Sequence, residues 1–113
     1  MRDANANFQV HVLLRYSKKT GKIDTAMTGL GSAMMRLWAL NNTTSSKEVV
    51  IINRSTGQIV YHTIGRKDSF PYIVKDDELG TCEDLGISFE ELQTFTDDRF
   101  DNNGEFEYMK KEN

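Results

Sequence analysis

The stretch that most restricts this chain is Val49-Val50-Ile51-Ile52 followed by Asn53-Arg54-Ser55-Thr56-Gly57. Four consecutive β-branched residues lose rotamer freedom in a helix and pack well on a pleated surface, so the run predicts a buried strand. The next five residues read as a type I turn closed by a left-handed glycine, the usual short hairpin connection. Gln58 to Ile64 returns as the partner strand.

A second hairpin is predicted ahead of it. Phe8, Val10, Val12, Leu14 and Tyr16 alternate with Gln9, His11, Leu13 and Arg15, the period of a half-buried strand, with Leu13 assigned to the wetter face. Ser17 to Lys22 is a polar turn and Ile23 to Met27 the return. Thr20-Gly21-Lys22-Ile23 and Thr56-Gly57-Gln58-Ile59 share a Thr-Gly-x-Ile core. A ββα unit used twice would produce this, but Thr-Gly is also simply a good hairpin turn, and that is the reading adopted.

Between the hairpins the period changes. Leu30, Met34, Leu37, Trp38 and Asn41 recur at helical spacing, predicting an amphipathic helix over 31–42 with Ser32 as N-cap. Past the second hairpin, Gly65 to Ser69 reads as a loop. Phe70 to Val74 reads as a short edge strand, because Pro71 cannot donate to a central ladder. Thr81 to Leu85 reads as one helical turn stopped by Gly86. Ser88 and Glu91 match a capping box stapled by Ile87 and Leu92, predicting a helix over 88–96. Asn102-Asn103-Gly104 precedes Phe106 and Tyr108, as in a last hairpin or a frayed tail.

The expected fold is therefore α+β. A mainly antiparallel sheet of four or five strands, containing two hairpins, carries the amphipathic helix on one face, with a second, short acidic helix beside or beneath it. The core is expected around Val10, Val12, Met34, Leu37, Trp38, Ile51 and Phe89. At 113 residues, residues 1–113 make one small domain, and Leu, Ile, Val and Phe supply 24% of them, enough for a core.

Several chemistries are not supported. No apolar run approaches the ~20 residues that cross a bilayer, and residues 1–7 lack the apolar stretch of a signal peptide. The single cysteine, Cys82, allows no internal disulfide and suits a cytoplasmic setting, as a small buried hydrophobe whose neighbours Glu83 and Asp84 oppose thiolate formation. Residues 99–110 fail as a calcium loop, because Arg99 and Lys110 fall at ligand positions. Gly29-Leu30-Gly31 completes neither nucleotide fingerprint, since Met34 stands where a third glycine belongs. His11 and His62, opposite a carboxylate, would suit acid–base work, but no nucleophile motif or metal spacing accompanies them. No enzyme, cofactor or metal is expected.

Charge carries the remaining signal. Residues 1–67 hold ten Lys/Arg against three Asp/Glu, or +7, and residues 68–113 hold four against fourteen, or −10. The ordinary explanation is that the halves neutralise each other. The leading functional expectation is a non-enzymatic protein-interaction module, including an inhibitor whose acidic half imitates nucleic acid and docks on a basic, nucleic-acid-binding partner. Its contact residues would be Asp76, Asp77, Glu78, Glu83, Asp84, Asp97, Asp98 and Asp101. The alternative is a small nucleic-acid-binding protein using basic hairpin tips: Lys18, Lys19, Lys22, Arg54, Arg66 and Lys67, with Tyr16 and Tyr61 for stacking. No membrane contact is expected; self-association through the opposite halves is a further expectation.

Overall fold

The computed structural model describes residues 11–29 and 32–95, Ser32 by its backbone alone. The strand start Phe8 to Val10, Leu30, residue 96 of the expected 88–96 helix and the Phe106/Tyr108 hairpin lie outside the described residues. So does the capping role of the Ser32 side chain.

The described residues form a five-stranded antiparallel sheet. Strands β1 (His11–Ser17) and β2 (Ile23–Gly29) make the first hairpin, and β3 (Lys47–Asn53) and β4 (Ile59–Arg66) the second. Strand β5 (Ser69–Ile73) completes the order β2-β1-β3-β4-β5. Helix α1 (Ser32–Asn42) connects the two hairpins.

The shared Thr-Gly motif is one turn built twice. Ser17 Oγ accepts from the Lys19 and Thr20 amides at 3.1 and 3.2 Å, as Asn53 Oδ1 does from Ser55 and Thr56 at 2.8 and 3.2 Å. The Gly21 and Gly57 amides each reach back four residues to a carbonyl at 2.8 Å. Both glycines sit at left-handed φ, 77° and 79°, where a Cβ would be strained. The likeness stops there: the first hairpin leads into a helix, the second into β5.

Both sheet faces are covered. On one, Val12, Leu14, Tyr16, Val50 and Ile52 pack with Cys82, Ile87, Leu92 and Phe95 from the acidic half. On the other, Leu13, Val49, Ile51 and Tyr61 pack against Met35 and Ala39 of α1, with Trp38 partly buried. Leu13 is therefore fully buried rather than on a wetter face. Alternation marks the core side only when the other side is wet, and here α1 and the acidic segment lie on opposite sides. The helix is also rotated from expectation: Met35 and Ala39 face the sheet, while Met34 and Leu37 are exposed. Phe89 is exposed too, beside the Gly57 turn rather than in the core.

Strand β4 runs to Arg66, past its expected end, so the predicted 65–69 loop shrinks to a tight turn with Asp68 at φ 65°. Gly65 permits this: a Cβ there would lie 1.6 Å from the Thr44 carbonyl oxygen. The end of β4 thus presses directly on the loop between α1 and β3.

After β5 the chain continues antiparallel to β4 toward that strand's start, the Val74 amide donating to the His62 carbonyl and Thr81 bridging Gln58. It forms two 3-10 turns, Asp76–Glu78 and Cys82–Leu85, and then helix α2 (Phe89–Leu92). The Ser88 capping box forms as predicted, the Glu91 amide donating to Ser88 Oγ and the Ser88 amide to Glu91 Oε1, both at 3.0 Å. The helix is one turn long, because Phe95 folds back into the core three residues later.

Candidate functional site

Register decides where the charges go. Strand β1 pairs antiparallel with β3, His11 opposite Asn53 and Ser17 opposite Lys47. The tips of the two hairpins therefore point to opposite ends of the sheet, and do not meet side by side as the basic-tip reading supposes. What joins the first tip is the β4–β5 turn, because Glu48 pairs with Ile64 and Arg66 with Ser69.

Five of the six expected basic residues, Lys18, Lys19, Lys22, Arg66 and Lys67, thus belong to turns at one end of the sheet. Lys18 ties the two turns together: its Nζ donates to the Gly65 carbonyl at 3.0 Å and to that of Ser45 at 3.2 Å. Lys18, Lys19, Arg66 and Lys67 are exposed. Arg54 is the correction. It rides the β3–β4 turn at the far end and donates to the Phe95 carbonyl. Two other cations at the basic end are engaged, since Asp24 holds Arg15 at 2.9 Å and also pairs with Lys47. Burial opposes ionisation of Asp24, but bonds from Arg15 and Lys47 outweigh it and hold the carboxyl below its ordinary range.

The acidic segment is fastened to the other end. The Ile59 amide donates to the Gly80 carbonyl and the Cys82 amide to that of Gly57, both at 2.8 Å, beside the turn that carries Arg54. Asp76, Asp77, Glu78, Glu83 and Asp84 are exposed. The Cys82–Leu85 turn is capped, Asp84 accepting from the Thr81 amide at 2.9 Å. Leu79, just after the first turn, and Leu85, at the end of the second, pack on the core beneath. Six residue steps of β1 and β3 separate the two ends, about 20 Å. Asp97, Asp98 and Asp101 lie outside the described residues.

The rings expected to stack on bases are not available. Tyr16 and Tyr61 are both buried, on opposite faces, and the Arg36 guanidinium covers Tyr61 at 4.8 Å. The histidines also part company, His11 sharing the strand side of Leu13 beneath α1 and His62 the side of Tyr16. Burial, then Arg36, lowers the pKa of His11.

His62 does meet a carboxylate, in a network that sequence reasoning missed. Its Nε2 lies 2.8 Å from Glu48 Oε1 and 3.2 Å from the Tyr16 hydroxyl, which itself donates to Glu48. Burial works against the Glu48 charge, but bonds from His62 and Tyr16 keep its carboxyl below the ordinary value. Burial, then the bond to Glu48, raises the Tyr16 hydroxyl. Only the pairing of β1 with β3 and β3 with β4 assembles these three, which no local pattern announces.

Cys82 is buried and free, its thiol pushed up by burial and by Glu83, in keeping with a packing role. Among the described residues no group of three His, Cys, Asp or Glu side chains is arranged to hold a metal ion. No described helix is long and apolar enough to cross a membrane. No protein-family model matches the chain, and neither a curated protein nor a solved structure does.

Proposed function

We propose that this protein is an interaction module whose acidic end docks on a basic partner protein, competing with nucleic acid for that partner's positive groove. The observation that carries the reading is the separation of charge along one sheet. Asp76, Asp77, Glu78, Glu83 and Asp84 are exposed on short turns braced against β4, with the lysine-bearing turns at the other end. Carboxylates on a fixed support can stand in for phosphates, because they enter the groove at fixed positions and release the same counterions. The buried Tyr16 and Tyr61 rings take stacking away from the nucleic-acid-binding alternative, which is left with phosphate contacts at Lys18, Lys19, Lys22, Arg66 and Lys67. The reading contains no catalytic step.

The test is displacement of duplex DNA from a Lys/Arg-rich DNA-binding peptide. The protein is expected to free the DNA, and the triple variant Asp76→Lys, Asp77→Lys, Glu78→Lys to fail, while Lys18→Glu with Lys19→Glu competes normally. The reading is overturned if the protein itself retards DNA or RNA at physiological salt and Lys18→Glu with Lys19→Glu abolishes that retardation.

A further inference from the structure

Four large apolar side chains crowd one border of the molecule. Phe70 is 86% exposed, Met34 72%, Leu37 56% and Ile73 45%. Leu37, Leu40 and Asn41 of α1 face Phe70, Pro71 and Ile73 of β5 across a groove of about 270 Å³, with Met34 one helical turn along from Leu37. Exposed apolar area here is on the order of 400–500 Å², the upper range of patches that monomers carry, and such patches mark contact sites. It lies beside an edge strand, the position where a sheet has an unused side.

The charges beside β5 say what fits. Arg66 and Lys67 stand at its start, with Asp68, near Lys18 and Lys19; Asp76, Asp77 and Glu78 follow its end, with Lys75. Two copies meeting across this border have two choices. With their β5 strands parallel, like charges face each other. With the strands antiparallel, each basic end lies beside the acidic end of the other copy, and the two grooves close on each other. A two-fold axis makes that arrangement complete after two chains. Doubling the patch gives roughly 1,000 Å², and a polar rim brings the contact to the lower limit of stable interfaces, about 1,200 Å².

We infer that the α1–β5 border is a self-association surface, on which a second copy of this chain docks with antiparallel β5 strands. Side chains, rather than a continuous ladder, hold the contact. The Val74 amide points inward to the His62 carbonyl, so by alternation Pro71 turns its nitrogen outward. A neighbouring strand finds no donor there, and Phe70 enters the partner's groove instead.

Sedimentation equilibrium of the full chain tests this. The expected result is a dimer that weakens as salt rises, with Phe70→Asp and, separately, Leu37→Glu weakening it about tenfold or more while the circular dichroism stays native. Arg66→Glu with Lys67→Glu should weaken the dimer, and adding Asp76→Lys and Asp77→Lys in the same chain should restore it. A monomer at millimolar chain concentration overturns the inference, as does a dimer indifferent to both apolar substitutions. Charge reversal without rescue overturns the antiparallel arrangement. Failure here is distinct from failure of the docking function: a monomer can still displace DNA from a basic peptide, and a dimer can lack that activity.

Discussion

Replacing Gly65 with alanine tests how the basic end is assembled. A Cβ at this position would lie 1.6 Å from the Thr44 carbonyl oxygen and 2.2 Å from its carbon, where real contacts stay beyond 3.0 Å. Both atoms are backbone, so no rotamer change relieves the clash. Either β4 or the 43–46 loop must retreat by more than about 1 Å, a scale that typically adds 1–3 kcal/mol of strain in a packed region. Retreat also strains bonds that fasten the loop and the first hairpin tip. These are the Thr44–Lys47 backbone pair at 3.1 and 3.2 Å, Lys18 Nζ to Gly65 at 3.0 Å, and the Lys18 amide to Ser46 at 2.9 Å. Losing one or two of them costs about 1 kcal/mol each. Against this, alanine restricts the unfolded chain and returns about 0.4–1 kcal/mol. The expected net loss is about 2–4 kcal/mol in urea unfolding, with an unchanged slope. Gly80→Ala is the control, because its Cβ would meet a side chain and not backbone: the Asp84 carboxylate at 2.2 Å can swing aside at the loss of its bond from the Thr81 amide, which should cost about 1 kcal/mol. A Gly65→Ala protein as stable as the parent would refute the close approach of β4 to the loop.

Three further outcomes follow from the same structure. Ser88→Ala removes the acceptor for the Glu91 amide and should cost about 1 kcal/mol of unfolding free energy by chemical denaturation. Leu13→Ala should cost about 2–5 kcal/mol and Leu37→Ala far less, the reverse of what alternation in β1 and helical spacing in α1 predict, since Leu13 is fully buried and Leu37 is not. The carboxyls of Glu48 and Asp24 both titrate below their ordinary values. They bind protons more weakly folded than unfolded, so their contribution is present above the usual carboxylate range and lost as pH falls through their folded values. Urea stability should therefore drop as pH falls from about 5 through the ordinary carboxylate range and below it, and Glu48→Gln should flatten that slope.

Local features were legible in the sequence, and non-local ones were not. Both hairpins, the edge character of β5 and the Ser88–Glu91 cap follow from adjacent residues, and each forms. The face of α1 did not follow, because Met34, Met35, Leu37, Trp38, Ala39 and Leu40 spread apolar atoms around most of a short helix. Only docking on Leu13, Val49 and Ile51 selects Met35 and Ala39. Arg54 parts from the other basic residues in a way its turn does not announce, because turn composition carries no information on which end of a sheet a turn occupies. The antiparallel β1–β3 pair settles that, across a 29-residue gap between Ser17 and Lys47 that no short-range rule spans. The Tyr16–Glu48–His62 network was hidden for the same reason.

The most direct measurement is a residue-by-residue amide NMR titration of the Phe70→Asp chain, in which the self-association surface is broken, with a lysine-rich peptide, then separately with inorganic polyphosphate. If the opposite charges occupy two distant, accessible ends, the peptide will move signals from 76–85 and leave 17–22 and 65–68 still, and polyphosphate will do the converse. Shifts scattered along both regions with either probe, or none at all, would contradict the account.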